Sequence, residues 1–533
     1  MNHVCIAVRA RPRPAAKPVR TAHPGIARNP AGSTVSAPSC GFVRLPLTLR
    51  DPLPHPSGPR RARAIRHPKQ DDPLISVSRV GWLFGHDWDA LALERLARGG
   101  LARFDRAGFD LFSFPSNLGL AVYDHERFAR RQAARGRRLG WRGVVSHNEH
   151  FGALAASLVA EHLRLPGAAP EAILAAQHKL HARRVLARVA PEASLGFREL
   201  EVDFGEPIPE GLTYPCFAKP VKAAFSVLAR EVGDRAALAE HTRFDASETW
   251  IIRHLVGPFD RLCRARLPQA GSALRMLLEE PVSTRVAQYN LDGWVAGARI
   301  HALGVVDAVM YPGTRAFMRW ETPSRLAPSV QARALEVARR FLDAIGYRLG
   351  LFNLEFFHDP DTDRITVIEC NPRLASQFGD LYLRVAGVDP HAIGVALALG
   401  EDPSALSRAE PTAAVAASLV YRAFDPGRVP RPPSPEGREA FERAFPDGLM
   451  MSFPKSGRAL ARDFKWTGNH HYGFVHLGGR DHADLRARAE RASRLLGWPA
   501  PYRDLSAEGA RVRRPGELSE AFSASGDPGR EAA

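Results

Sequence analysis

The spacing of apolar residues changes several times along the chain, and each change predicts an element. Leu74–Phe84 (LISVSRVGWLF) is largely apolar and predicts a buried strand. Asp87 or Asp89 offers a cap for a helix running to Arg98, with Gly99 just past its end. Phe109–Phe114 (FDLFSF) predicts a second strand, and a charged helix follows at Asp124–Arg138. Trp141–Ser146 (WRGVVS) predicts a third strand, and Phe151–Leu163 an apolar helix. This alternation of strand and helix is the pattern of a doubly wound parallel sheet.

From Pro170 another helix is expected through Lys179 toward Ala190. Strands are then expected at Pro215–Pro220, Thr249–Val256, Met276–Val282, Trp294–Leu303, Leu351–Phe357 and Arg364–Cys370. Ser329–Ile345 has the period of an amphipathic helix. A Pro-rich stretch, Phe424–Gly437, interrupts a smaller C-terminal region that ends near Tyr502. The fold class is therefore mixed α/β and α+β. Five divisions are expected: a tail at 1–72, a parallel α/β domain at 73–168, a larger domain at 169–402, a C-terminal α+β domain at 403–505 and a flexible tail at 506–533.

Charge first suggests nucleic acid, because the 533 residues carry a net +16. Residues 1–70 hold eleven Arg and two Lys against one acid, Asp51, so +12 belongs to that segment and +4 to the remaining 463. The 12 Pro of residues 1–72 and their weak apolar pattern predict disorder. Such an Arg-rich, acid-poor stretch also fits an organelle transit peptide or translation from a start upstream of the true one. Nucleic acid is thus expected to make no more than weak contacts with the tail. No run of about 18 apolar residues predicts a transmembrane helix. The five Cys are scattered with no CxxC pair, which points to a reducing, cytoplasmic setting.

The segment Leu351–Arg373 (LFNLEFFHDPDTDRITVIECNPR) carries the chemistry. Two apolar strands flank the turn-rich HDPDTD. If they pair antiparallel about Thr362, Glu355 faces Glu369 and Asn353 faces Asn371. With side chains alternating at period 2, Glu355, Glu369 and Asn371 share one face and Arg373 continues it. Opposed carboxylates among apolar residues need a proton or a cation. Carboxylate and amide oxygens without His or Cys suit Mg²⁺, with Mn²⁺ as the alternative. The competing reading is a solvated hairpin with exposed Glu.

The string N-x-E-F-F, followed at Glu369 by E-C-N-P-R, resembles the metal hairpin of the ATP-grasp superfamily, of the carbamoyl-phosphate synthetase, biotin carboxylase and amino-acid ligase branch. The segment SQFGDLYLRVAGVDPHAIGVALALG resembles the helical end of that domain, and VVSHNEHFGALAASLVAEHLRLPG the end of the domain before it. The resemblance covers roughly residues 75–400. It implies a pre-ATP-grasp parallel sheet, a two-lobed ATP-grasp domain and a small C-terminal domain. It also implies ATP and Mg²⁺ as cofactors, with small-molecule carboxylate and amine substrates. By resemblance, Lys179 and Lys219 match the residues that meet the nucleotide phosphates, two of only seven Lys in the chain. Glu279 or Glu280 and the backbone of Pro281–Ser283, Val282 included, match the purine hinge. Gln288 falls where many relatives carry a ribose-binding Glu. Glu355, Glu369 and Asn371 match the metal ligands, and Arg373 the group on the transferred phosphoryl. Where the family usually has a glycine-rich phosphate loop, this chain reads PVKAAFSVLA, in which only Ser226 fits and Lys222 could replace part of the charge.

The implied reaction is ADP-forming ligation: a carboxylate becomes an acylphosphate, which an amine or thiol then attacks. Bicarbonate activation is the alternative within the fold, weakened by the missing glycine loop. A non-catalytic nucleotide- or nucleic-acid-associated protein is the alternative outside it. No protein nucleophile is required, so Cys370 is expected to be a core residue. His470 and His471 point opposite ways if they lie in a strand, which argues against a shared metal. Lys465 and Trp466, and Arg315, Arg319 and Arg325, are candidates for substrate contacts. A homo-oligomer is compatible with all of this.

Overall fold

The computed structural model describes residues 77–109, 121–201, 206–223 and 228–501. The expected tails, residues 74–76, residues 110–114 of FDLFSF and Ser226 lie outside the described residues.

Among the described residues there are three sheets. The first is parallel, in the order β2-β1-β3, from β1 Arg79–Leu83, β2 Arg103–Ala107 and β3 Trp141–Val145. Helices α1 Asp87–Arg98, α2 His125–Leu139 and α3 Gly152–Leu163 follow its strands. The second strand thus precedes the expected Phe109–Phe114. RFDRA pairs with β1 from Arg79↔Arg103 to Leu83↔Ala107, and Arg79 and Trp141 both bond Asp105, at 2.8 and 2.7 Å. The first helix starts at Asp87 but is capped by His86, whose backbone N–H donates to Asp89 at 2.7 Å.

The expected helix from Pro170 to Ala190 is two helices, α4 Pro170–Gln177 and α5 Lys179–Val189. His178 leaves helical geometry between them (φ −84°, ψ 92°), and its ring nitrogen accepts the His181 N–H at 3.2 Å. Lys179 therefore opens a helix instead of lying mid-way along one.

The second sheet, antiparallel in the order β4-β7-β5-β6, comprises β4 Phe197–Leu200, β5 Cys216–Pro220, β6 Arg230–Val232 and β7 Met276–Glu279. α6 Arg235–His241 and α7 Ala246–Arg266 lie between β6 and β7. The expected strand Thr249–Val256 is part of α7. Asp245 and Glu248 form a reciprocal capping box, and Ile252, Leu255, Val256, Phe259 and Cys263 recur at helical spacing toward the core. Tertiary packing of that stripe outweighs the β-branched run TWIIRHLV.

The third sheet has eight antiparallel strands, β12-β11-β8-β9-β10-β13-β15-β14. These are β8 Ala287–Ala296, β9 Arg299–Met310, β10 Phe317–Thr322, β11 Leu349–Asp359, β12 Arg364–Asn371, β13 Val415–Ala423, β14 Leu449–Ser452 and β15 His470–Gly479. The single strand expected over Trp294–Leu303 is a hairpin, turned at Gly297 with φ +63°. β13 pairs with β10, so the C-terminal strands continue the same sheet while the helices Pro435–Ala444 and His482–Leu496 help build a core of their own. A larger core joins α3, α4 and α5 with the amphipathic helix Pro328–Ala344 and the β11–β12 hairpin. Helix Pro390–Leu399 returns to the parallel sheet so closely that a Cβ at Gly143 would lie 2.8 Å from the Ala398 carbonyl.

Candidate functional site

The expected hairpin register holds where it matters. Asn353 faces Asn371, and Glu355 faces Glu369. The ladder then slips, and Phe356 faces Val367. The two carboxylates turn to the same side, because Asn371 reaches both. Its Nδ2 donates to Glu355 Oε1 at 2.8 Å and lies 3.5 Å from Glu369 Oε1. Lys179 forms an ion pair with the other oxygen of Glu369.

Glu355 is 1% exposed. Burial pushes its carboxyl pKa up, and the charge of Glu369 adds to the shift. Burial acts the same way on Glu369, but the Lys179 ammonium outweighs it and holds that carboxyl below its ordinary value. A divalent cation is a natural replacement for the proton that Glu355 otherwise favours. The donor set of two carboxylates and an amide fits Mg²⁺.

A second cluster lies at the end of β7. Lys219 on β5 pairs with Glu279 Oε2 at 2.8 Å, and Arg183 on α5 holds Oε1 at 2.7 and 2.9 Å. Arg183 also donates to the carbonyls of Val367 (2.8 Å) and Ile368 (3.1 Å), tying the second sheet to β12. Burial would raise the Glu279 pKa, but Lys219 and Arg183 hold it below the ordinary carboxylate value. Burial lowers the Lys219 pKa. Of the two hinge candidates, Glu279 is thus engaged inside, while Glu280 accepts the Gly196 N–H at 3.1 Å. The carbonyls of Val282 and Ser283 accept from Arg315 at 2.5 and 2.7 Å, and that guanidinium lies over the Phe357 ring at 4.7 Å.

Gln288 is buried on β8 opposite Phe357, on the edge of the same polar stripe. Arg373 is buried and pairs through Nε with Glu149 at 2.9 Å, while its Nη1 has no hydrogen-bond partner among the described residues. Lys222 donates to Gln177 Oε1 (2.9 Å) and the Glu149 carbonyl (3.3 Å), over the Phe259 ring. Burial takes its pKa down to about 8. Lys222 thus supports the loop after β3.

The remaining candidates sit elsewhere. Cys370 is buried, and burial raises its thiol pKa. His470 and His471 are both buried in β15, His470 bonded to Asp463 at 2.8 Å. Lys465 pairs with Glu248, Arg319 with Glu321 at 2.7 Å, and Arg325 lies 3.8 Å from Asp307.

No protein-family model matches the chain, and no curated protein matches it in sequence. Solved structures do match. An L-amino acid ligase from Bacillus licheniformis superposes with a TM-score of 0.58 at 15% identity, over 78% of this chain and 96% of that one. An N5-carboxyaminoimidazole synthase from Aspergillus clavatus, in complex with ADP and 5-aminoimidazole ribonucleotide, gives 0.52 at 13% identity, over 79% and 99%. The N5-carboxyaminoimidazole ribonucleotide synthetase from Thermus thermophilus gives 0.51 at 17% identity, over 79% and 99%.

The chain has the ATP-grasp fold.

Within that fold, three polar residues near the hairpin escaped the sequence reading. Asn290 stands opposite Glu355 in the β8–β11 register, is fully buried, and neither of its amide atoms has a hydrogen-bond partner among the described residues. Asp292 accepts from Asn353 (3.1 Å) and Tyr382 (2.8 Å), and burial raises its pKa to about 6. The signal was present: Gln288, Asn290 and Asp292 alternate with apolar residues in QYNLDGWV. Glu149 carried no such signal, because it reaches Arg373 from a loop of the parallel-sheet region.

Proposed function

We propose that the protein is a Mg-ATP-dependent ligase that activates a carboxylate as an acylphosphate for attack by an amine or thiol, with ADP and phosphate as products. The observation that carries this reading is the convergence of Glu355, Glu369 and Asn371 on one face, with Lys179 on Glu369. The fold supports it, since its solved examples include an L-amino acid ligase and carboxyaminoimidazole ribonucleotide synthetases.

Glu355, Glu369 and Asn371 would hold Mg²⁺, which supplies charge neutralisation at the β- and γ-phosphates. Lys179, paired with Glu369 in this structure, would serve a phosphate oxygen of the bound nucleotide. Lys219, fixed by Glu279, contributes positive charge from the second sheet. Arg373 is held by Glu149 through Nε, which leaves Nη1 to bind the transferring phosphoryl or the acylphosphate with charge-assisted hydrogen bonds. Asn290 is placed to meet a polar group beside Glu355. The domain limits 73–168, 169–402 and 403–505 belong to this reading as its pre-ATP-grasp, ATP-grasp and C-terminal parts.

The test is a phosphate-release screen across pairs of carboxylates and amines. We expect Mg-dependent ADP formation that Glu369→Gln reduces at least about 100-fold, since the substitution removes a ligand charge from the transition state. Wild-type-like turnover in that variant would refute the metal assignment.

A further inference from the structure

A second group of converging side chains lies outside the hairpin, where the parallel sheet meets the helix Pro390–Leu399. Asp89 on α1 lies 3.1 Å from His147 Nδ1 and 3.2 Å from His391 Nε2, both measured to the same carboxylate oxygen. One ligand atom from each of the three lies within 4.8 Å of the others. Their relative exposures are 0% for Asp89, 3% for His147 and 2% for His391.

We infer that Asp89, His147 and His391 form a metal site for a divalent first-row transition ion of the zinc type, separate from the nucleotide site. The edge of a tetrahedron with bonds of about 2.0–2.1 Å is about 3.3 Å, close to both measured separations. Imidazole nitrogens with one carboxylate select zinc-like ions over Mg²⁺.

Among the described residues, the ion-pair partners of Asp89 are these two imidazoles; no Lys or Arg reaches it. The site also has its supports. The His86 N–H fixes the second Asp89 oxygen at 2.7 Å, and the Ser376 hydroxyl donates to the first at 2.8 Å. The far ring nitrogens, His147 Nε2 and His391 Nδ1, are buried without hydrogen-bond partners among the described residues, while the near ones lie within hydrogen-bond distance of the shared Asp89 oxygen. A cavity of about 90 Å³ has His147, Ser146, Arg373 and Gly394 on its wall.

The ligands come from α1, the loop after β3 and the helix after the hairpin. Ser376 stands three positions beyond Arg373. An ion here would fasten the parallel sheet to the end of the hairpin and fix the backbone that carries Arg373. Its role is positioning, not chemistry on substrate.

The test is zinc content. The full chain is stripped with dipicolinate, reloaded with zinc chloride, desalted and measured by inductively coupled plasma mass spectrometry. We expect about one zinc per chain, at least tenfold less in His147→Gln and His391→Gln, and no change in Glu369→Gln. Because a His variant can misfold, the wild type also decides by itself. Cobalt(II) added to the stripped chain should give visible ligand-field bands that zinc abolishes. Wild type that keeps less than about a tenth of an equivalent, or shows no cobalt bands, overturns the inference and leaves a hydrogen-bonded Asp–His–His cluster. Zinc lost from Glu369→Gln but kept by folded His variants would place the ion on the hairpin and also overturn it. None of these readouts depends on ligase activity, so failure here is distinguishable from failure of the proposed function.

Discussion

Arg183 links the second sheet to the candidate metal hairpin, and Arg183→Met removes that link at similar volume. The side chains of Arg183 and Glu279 are 3% and 4% exposed. The substitution deletes the contacts to Glu279 at 2.7 and 2.9 Å and the donations to Val367 and Ile368. Removing one partner of a buried pair costs about 3–5 kcal/mol. Lys219 remains 2.8 Å from Glu279, which moderates the charge penalty. We therefore expect a loss of about 3–5 kcal/mol in urea unfolding followed by tryptophan fluorescence. Glu279→Gln and the double variant complete a cycle, in which a coupling of about 1–3 kcal/mol should appear. An Arg183→Met variant within about 1 kcal/mol of wild type, or strictly additive variants, would refute the reasoning.

Three further outcomes are expected. Gly387 has φ +64°, and a Cβ there would meet the Ala409 carbonyl oxygen at 1.8 Å, so Gly387→Ala should cost more than about 2 kcal/mol in the same unfolding assay. Asp380 has a folded pKa of about 2: burial would raise it, but His476 and Arg384 more than compensate. Its stabilisation is therefore complete above the unfolded value of about 4 and disappears as pH falls toward 2, a loss of about 2 kcal/mol that Asp380→Asn should remove from an acid-unfolding profile. Arg315→Ala should tighten ATP binding in calorimetry several-fold, because the Val282 and Ser283 carbonyls then no longer serve a guanidinium; weaker binding would count against their role as a purine hinge.

Much of the site was legible because its geometry is local. Glu355, Glu369 and Asn371 belong to one hairpin, where period-2 alternation and a short turn settle which side chains are neighbours. The parallel alternation at the start of the described chain was legible for the same reason, with α2 and β3 close to their expected limits. The misreadings came where neighbours are distant in sequence. TWIIRHLV is rich in strand-type residues, and only a core along Ile252, Leu255, Val256, Phe259 and Cys263 makes it a helix. RFDRA, which pairs with β1 and whose Asp105 bonds Arg79 and Trp141, is a strand that its charged sequence does not announce.

By itself, the amino-acid order determined the alternation of elements, the opposed acids of the hairpin and the concentration of positive charge in the first 70 residues. Tertiary structure alone decided that Glu279 serves Lys219 and Arg183, that Glu149 holds Arg373, and that Asp89 meets His147 and His391 across 58 and 302 residues of chain. The physical reason is one of range. Backbone alternation and hydrogen-bond pattern act between near neighbours, whereas a buried charge is matched by whichever opposite group the folded core brings within a few ångströms.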